Sequence, residues 1–340
     1  MKWRKVSGML GAMVAAFVFA GACLPAGAAE VLRPSLACTG IYGVPGHGET
    51  TLREFTTAVQ ERSGGNIVID AITPGLAGSE REIFEQTVIG AVDMCFMSDM
   101  TADGFMNTLG FAWLPFMITT YEDADKYYNS GWIHDEIVKR YEAAGVIKIA
   151  NIETGVKALG NIVRPINSFS DFKGLKIRVS EIPDLQRFMS LLGCLPVAMS
   201  NSETPTAIQQ GTIDGVDTTL YNLKAQGVLD MMKYVTLTGH QYSGGSVLCN
   251  KAFWDKLTDE QKKILTECAQ AAGNNNMKNK RAEEAELRRQ LEAEGRIQVA
   301  ELSAETKAEM LKAGQVVWEE YAHAYGEDIY KKIMETFGTK

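Results

Sequence analysis

The segment 171–180 holds the side chains best suited to bind an anion. It reads DFKGLKIRVS, and the alternation of a strand would place Lys176 and Arg178 on one face. Arg178 lies beside the C-terminal end of this predicted strand, where ligands of open α/β sheets bind. Its guanidinium is a planar fork that matches a carboxylate, so Arg178 is a candidate carboxylate ligand. An exposed ion pair with Glu181 is the alternative that the segment leaves open.

No catalytic signature accompanies this cation. The sequence contains no G-x-S-x-G, H-E-x-x-H, Walker loop or G-x-G-x-x-G. The glycine-rich stretch 43–48 lacks the spacing of a phosphate loop, and no cysteines and histidines cluster at zinc-site spacing. We therefore expect a protein that is not an enzyme and that needs no cofactor or metal. The rival interpretation is an exported hydrolase or lyase, which would need a base such as His47 or Glu80 beside a nucleophile.

The elements that must position these side chains alternate between strand and helix. Ser79 and Glu82 have the spacing of a capping box, which predicts a helix start at that point. The predicted strands are 67–72, 91–97, 146–152, 157–163, 175–179 and 196–199. The other predicted helices are 122–144, 202–210 and one that starts near Pro183. This alternation indicates an α/β fold with a mostly parallel sheet covered on both faces.

Two long elements are predicted in the second half of the chain. Residues 234–250 form an extended run that is longer than a typical strand, so it could cross from one lobe to another. Thr258 and Gln261 form a second capping box, which opens a highly charged helix that reaches to about Glu294. Its charges are typical of a solvated face.

Length and charge restrict the classes of function. The 340 residues predict two domains, and 46% hydrophobic against 22% charged residues is enough for a sizeable core. The chain has 34 basic and 42 acidic residues, a net charge of −8. That sign repels phosphate backbones and anionic lipid, so no nucleic-acid partner is expected.

The N-terminus has the pattern of a secretory signal peptide. Lys2, Arg4 and Lys5 precede the apolar run 8–22, and the small residues 26–28 predict cleavage near Ala28. We therefore treat 1–28 as a signal peptide and expect a periplasmic protein. A retained membrane anchor and a lipid-modified Cys23 are the alternatives.

The other five cysteines show no C-x-x-C spacing. They are Cys38, Cys95, Cys194, Cys249 and Cys268, and most of them lie in apolar strings. Buried free thiols are the expected state for most of them, with one bridged pair left open.

Several segments, in this order along the chain, match one family of exported proteins. They are GSE at 78–80, GAVDM at 90–94, LPF at 114–116, RPI at 164–166, DFKGLKIR at 171–178, AIQQGTIDG at 207–215 and LTDEQ at 257–261. On these segments the sequence resembles the periplasmic solute-binding proteins of tripartite ATP-independent periplasmic (TRAP) transporters, of the C4-dicarboxylate-binding type. The resemblance covers nearly the whole exported chain.

The resemblance implies a two-lobed Venus-flytrap fold with crossing hinge strands and a long helix that spans both lobes. Lobe I would comprise 29–155 and 244–283, and lobe II would comprise 156–243 and 284–340. Such a protein captures a small organic acid and delivers it to the subunits of a TRAP membrane permease. We expect it to act as a monomer. A module that hands its ligand to a signalling receptor is a further alternative.

The resemblance also assigns residues to the ligand site. The family's central arginine falls on Arg178, which would hold the ligand carboxylate from lobe II. Glu80 matches a frequent polar contact at a helix start and would hold the distal end of the ligand from lobe I.

Two positions depart from the family pattern, and a third differs from some of the relatives. Lys157 replaces an arginine of a G-x-R element, and Thr218, next to Asp217, stands where asparagine is frequent. Asn201 stands where some relatives have an aromatic residue. Lysine is a point charge rather than a fork, so a less common acid is expected. The more polar pocket implied by Asn201, Asp217 and Thr218 would suit a sugar acid.

Five bulky or aromatic side chains are weaker candidates. His47, Trp113, Tyr221 and Tyr242 are expected where the lobes face each other, together with Tyr42. Large aromatic residues are more often part of a core than of a ligand site.

Overall fold

One long strand connects the two halves of the β-sheet. The computed structural model describes residues 30–39, 47–73 and 76–338. In it, β4 (Val146–Asn161) pairs antiparallel with β9 (Tyr242–Asn250) over its first part. Over its last part it pairs antiparallel with β7 (Gly215–Thr219), from Lys157 to Asn161. β4 therefore runs from one half of the sheet into the other.

The remaining elements follow in chain order. The other strands are β1 (Ser35–Ala37), β2 (Asp70–Ala71), β3 (Met94–Ser98), β5 (Lys176–Val179), β6 (Leu195–Ala198), β8 (Tyr234–Leu237) and β10 (Gln298–Glu301). The helices are α1 (His47–Arg62), α2 (Glu80–Ile89), α3 (Asp99–Met106), α4 (Tyr121–Asp123), α5 (Trp132–Ala143), α6 (Pro183–Leu191), α7 (Thr204–Gln209), α8 (Leu220–Ala225), α9 (Lys251–Trp254), α10 (Asp259–Glu294), α11 (Ala304–Tyr321) and α12 (Glu327–Phe337).

The strand order divides the sheet into two lobes. The order is β2-β1-β3-β9-β4-β7-β5-β6, with β8 paired to both β4 and β10. We call the part around β1–β3 the first lobe and the part around β5–β7 the second lobe. Within each lobe the outer strands pair in parallel, whereas β9 and β4 are antiparallel to their neighbours. Ser98 lies at the carboxyl end of β3, and Arg178 lies near the carboxyl end of β5.

The sequence predicts two strands, 146–152 and 157–163. In the structure they form one continuous strand, β4. The ladder between β4 and β9 continues through a bulge between Glu153 and Gly155. Gly155 has φ +115°, and a Cβ there would lie 2.7 Å from Glu284 Oε2. Gly155 therefore marks a bulge, at which the strand bends and continues.

Two other predicted elements are divided. The extended run 234–250 is two strands, because Gly239 adopts φ +60° between β8 and β9. The predicted helix 122–144 consists of α4, a π-helical turn (Ala124–Tyr128) and α5. At Gly131, just before α5, a Cβ would overlap the carbonyl oxygen of Lys126. Close backbone approach thus interrupts a pattern that reads as one helix.

The long charged helix has the predicted bounds. The Thr258 hydroxyl accepts from the amide of Gln261, and α10 ends at Glu294, where Gly295 caps it in the left-handed conformation. The helix packs closely on β4, where a Cβ at Gly273 would overlap the carbonyl oxygen of Asn151. Asn276 Oδ1 accepts from the amide of Glu153 at 2.9 Å. α10 therefore braces the crossing strand near its bulge.

Five cysteines of the described part are buried, and no two of them are bridged: Cys38, Cys95, Cys194, Cys249 and Cys268. The predicted signal peptide, together with Cys23, lies outside the described residues. None of the helices in 30–39, 47–73 and 76–338 combines the length and the apolar character that crossing a membrane requires.

Candidate functional site

A cavity of about 300 Å³ opens between the two lobes. The first lobe contributes Thr39, Gly78, Ser79, Glu80, Arg81, Met100, Thr101 and Gly104, and the second contributes Arg178, Ser180, Glu181, Ile182, Met199, Ser200, Asn201, Ser202, Pro205, Ala225 and Gln226. A recess of about 20 Å³ shares part of this lining and adds Ser98, Thr154, Lys157, Thr218, Asn222 and Ser243. A volume of this size suits a small organic molecule.

Arg178 presents a guanidinium to this cavity from the carboxyl end of β5. Its side chain is buried, and its Nε and Nη2 donate to the carbonyl oxygen of Met199 at 3.0 and 2.7 Å. A guanidinium has five N–H donors, so the edge formed by Nη1 and Nη2 keeps donors for a planar acceptor. Burial lowers the pKa of Arg178 to about 10, and the nearby carboxylates oppose that shift, Asp217 most. Arg178 therefore stays cationic at neutral pH.

The alternative partner of Arg178 is not engaged. Glu181 lines the cavity, but within the described part of the chain no carboxylate lies within 4.0 Å of the Arg178 nitrogens. Both hydrogen bonds of the guanidinium go to a neutral carbonyl group instead. The backbone thus orients Arg178 without neutralising its charge.

Glu80 faces the cavity from the first lobe. It is the first residue of α2, which Ser79 caps, and only 8% of it is exposed. Its Oε1 accepts from the amide of Ser98 at 2.6 Å, and its Oε2 accepts from Thr101 Oγ1 at 2.9 Å. Burial raises the pKa of Glu80 to about 6, although these hydrogen bonds and Arg178 partly offset the shift. A carboxylate and a guanidinium therefore meet the same cavity from opposite lobes.

The raised pKa of Glu80 predicts a gain in stability for Glu80→Gln. A carboxyl whose folded-state pKa is about 6 rather than 4.5 stabilises the fold below pH 4.5, and this contribution is lost as the pH rises through 6. The loss is about 2 kcal/mol at pH 7. Urea unfolding without ligand should show Glu80→Gln more stable by that amount at pH 7.5 and nearly equal to the parent chain at pH 4.

Glu82 offers a matched control on the same helix turn. Hydrogen bonds from Ser79 lower the pKa of Glu82, so its carboxylate stabilises the fold at neutral pH. Glu82→Gln should therefore lower stability at pH 7.5, the opposite sign to Glu80→Gln. A Glu80→Gln variant that is no more stable than the parent chain at pH 7.5 would contradict the prediction.

Lys157, on β4, lines the recess and forms an ion pair with Asp217. Its Nζ lies 2.9 Å from Asp217 Oδ2, and both side chains are buried. The other carboxylate oxygen, Asp217 Oδ1, lies 3.4 Å from Nε2 of His240. Thr218 lines the recess, whereas the predicted contact Asp217 is not among the described lining residues.

Asn201 and several polar side chains complete the lining. Asn201 belongs to both parts of the cavity, and its Oδ1 accepts from Gln226 Nε2 at 3.2 Å. Sequence reasoning missed a set of hydroxyl and amide side chains: Ser98, Thr101, Thr154, Ser180, Asn222, Gln226 and Ser243. Ser98 ends β3 and Ser180 follows β5. The rule that selected Arg178, that ligands bind outside the carboxyl ends of strands, would have selected these two positions as well.

The structure places the predicted aromatic contacts elsewhere. Trp113, Tyr221 and Tyr242 are buried in the hydrophobic core, and none of them is among the described residues that line the cavity. Tyr242 donates to Glu153 Oε2 at 3.0 Å, and Lys280 Nζ lies 3.7 Å from the Tyr221 ring centroid. Burial of large apolar surface decided these positions.

α1 begins at His47, whose side chain lies outside the described part, as does Tyr42. In the described segments, no three residues of the types His, Cys, Asp and Glu cluster closely enough to hold a metal ion.

Known proteins share this sequence pattern and this architecture. The family described as bacterial extracellular solute-binding protein, family 7, matches residues 45–324. The uncharacterized protein YiiZ of Salmonella typhimurium is 28% identical over 214 residues, which are 63% of this chain. The match covers 65% of YiiZ, just under two thirds of its length.

Two solved structures have the same fold. A TRAP periplasmic solute-binding protein of Polaromonas sp. JS666, bound to D-erythronate, has a TM-score of 0.81 and 26% identity, over 89% of this chain and 98% of that chain. Another, of Pseudomonas putida F1 with bound D-glucuronate, has a TM-score of 0.80 and 26% identity, over 89% and 96% of the two chains. The predicted two-lobed α/β fold is thereby confirmed.

Proposed function

The chain belongs to family 7 of the bacterial extracellular solute-binding proteins, and on that premise we propose that it captures a small hydroxylated carboxylate and delivers it to a TRAP membrane permease. Proteins of this family are the solute-binding components of transport systems. The family match confirms the resemblance to TRAP solute-binding proteins that the sequence motifs indicated.

A single observation carries the proposal for this chain. Arg178, on the second lobe, is buried at the cavity with its charge unpaired by any carboxylate of the described part, and Glu80 faces the cavity from the first lobe. A buried charge without a partner is costly, so such a site favours an anion that supplies one. A carboxylate on the Nη1 and Nη2 edge would meet that need bidentately.

The polar lining supports a hydroxy acid or sugar acid as the ligand. Thr101, Thr154 and Thr218 line the cavity or its recess with hydroxyl groups, and Asn201 and Asn222 add amides. The two structural relatives at 26% identity hold D-erythronate and D-glucuronate, both of which are carboxylates with several hydroxyl groups. The ligand of this chain is proposed to belong to that class.

Closure of the lobes would trap the ligand. The proposed lobes are 29–155 with 244–283 and 156–243 with 284–340, so the boundary falls at the β4 bulge beside Gly155. Only the closed form lets both Glu80 and Arg178 act on one ligand, so ligand shifts the equilibrium toward closure. We further propose that cleavage near Ala28 releases a monomer into the periplasm.

A thermal-shift panel tests the proposal. The chain without 1–28 is heated with D-erythronate, D-glucuronate, D-gluconate, lactate and succinate in turn, and any hit is measured by calorimetry. A ligand at 100 times its Kd stabilises the native state by about 2.7 kcal/mol, which raises the Tm. If no acid raises the Tm or gives binding heat, the proposal fails. Mass spectrometry after long incubation checks for turnover, which would favour the hydrolase or lyase alternative.

A further inference from the structure

We propose that the cavity accepts one carboxylate group and discriminates against a second, because Asp217 pairs with Lys157 and leaves Arg178 as the one buried cation of the described lining that has no carboxylate within 4.0 Å. The proposal rests on the proposed function and names its ligand class more narrowly, as monocarboxylates. Asp217 would then be a residue that determines specificity without touching the ligand.

Three cationic side chains line the cavity or its recess in the described part: Arg81, Lys157 and Arg178. Arg81 pairs with Glu85 at 3.1 Å, and 47% of its side chain is exposed, so water screens its charge. Only Lys157 and Arg178 are buried enough to act strongly on a carboxylate inside the cavity.

Lys157 forms a buried ion pair with Asp217. The 2.9 Å contact with Asp217 Oδ2 joins side chains that are only 4% and 0% exposed. His240 adds no charge to the pair, because burial lowers its pKa to about 4 and it is neutral at pH 7. The other contacts of His240 are also uncharged, with Thr238 Oγ1 at 2.8 Å and the ring of Phe188 stacked on it. The charges of Lys157 and Asp217 therefore cancel within the protein.

Arg178 differs because its two hydrogen bonds go to the carbonyl oxygen of Met199. A single ligand carboxylate can pair with it. A second carboxylate within about 300 Å³ would meet no unpaired buried cation in the described lining, and it would approach the acidic side chains of Glu80 and Glu181. Removing that second charge from water without a partner costs free energy, which lowers the affinity for a diacid.

Matched acid pairs test this inference on the parent chain. D-Erythronate and meso-tartrate differ only by oxidation of the terminal alcohol to a carboxylate, and D-gluconate and D-glucarate differ in the same way. Calorimetry at pH 7.5 should show the monoacid of the better-binding pair at least about tenfold tighter than its diacid. A diacid that binds equally or more tightly overturns the inference and leaves the proposed function standing. Absence of binding by all four acids, and by the wider panel, overturns both.

Two variants assign the effect to the ion pair. Asp217→Asn leaves the charge of Lys157 unbalanced, so the preference for the monoacid should shrink about tenfold. The double variant Lys157→Met with Asp217→Asn removes both charges, so it should keep the parent preference. An unchanged ratio in folded Asp217→Asn would overturn the role of Asp217. Circular dichroism shows whether Asp217→Asn folds. If it does not fold, the double variant tests the proposal, and loss of its preference for the monoacid would contradict it.

Discussion

Replacing Arg178 with alanine is expected to weaken the binding of the cognate acid by about 2–5 kcal/mol, which is about 30- to 4,000-fold in Kd. The substitution removes the donors that the Nη1 and Nη2 edge offers to a carboxylate, and it leaves that carboxylate in a cavity with no unpaired buried cation among the described lining residues. Calorimetry with the acid that raises the Tm most in the panel measures the effect.

Arg164 provides the matched control for Arg178. It lies in the same lobe and also binds backbone carbonyl groups, donating from Nε to Asp171 O at 2.9 Å and from Nη2 to Lys173 O. It is not among the described residues that line the cavity. Arg164→Ala should therefore leave the Kd unchanged.

Arg178→Lys separates charge from geometry. It keeps the charge but loses the fork, so its affinity should fall between those of the parent chain and Arg178→Ala. An Arg178→Ala chain that binds as tightly as the parent would remove Arg178 from the site.

Asp99→Ala is expected to destabilise the fold by about 3–5 kcal/mol, because it breaks a buried charge pair and leaves its partners behind. Asp99 is fully buried at the first position of α3. Its carboxylate accepts from the hydroxyl groups of Tyr128 and Tyr141 at 2.7 Å each and from Ser246 Oγ at 2.5 Å, and Lys148 Nζ lies 3.4 Å away. Urea unfolding of the ligand-free protein at pH 7.5 measures the loss.

The exposed pair between Asp70 and Arg33 is the control for Asp99. Arg33 Nη2 lies 2.6 Å from Asp70 Oδ1, but the two side chains are 56% and 49% exposed. Water already solvates both partners, so Asp70→Ala should cost less than about 1 kcal/mol. Equal losses for Asp70→Ala and Asp99→Ala would show that burial does not set the strength of these ion pairs.

The position of Asp99 connects this stability to the ligand site. Met100 and Thr101, the next two residues of α3, line the cavity, and Thr101 donates to Glu80. The buried network that holds Asp99 thus fixes the start of α3. We expect ligand affinity to fall in variants of Asp99 that still fold, because the donor to Glu80 would then be less well positioned.

Local interactions explain what the sequence determined by itself. Ser79 and Thr258 start α2 and α10 through capping boxes that close over three residues, so four consecutive side chains are enough to predict them. Arg178 could likewise be located from the alternation within one strand and the rule for strand ends. The family resemblance added the two-lobed fold, which the structure and its relatives confirm.

Tertiary structure decided the partners of the charged and aromatic side chains. Lys157 and Asp217 are 60 residues apart, and they meet only because β4 and β7 pair in one register. Register depends on which faces of the whole sheet are buried, so no short window of sequence contains it. The same reason explains why Tyr242 packs in the core rather than at the cavity and why one strand, β4, serves both lobes. Contacts within a few residues are encoded locally, whereas contacts between distant strands exist only once the sheet has formed.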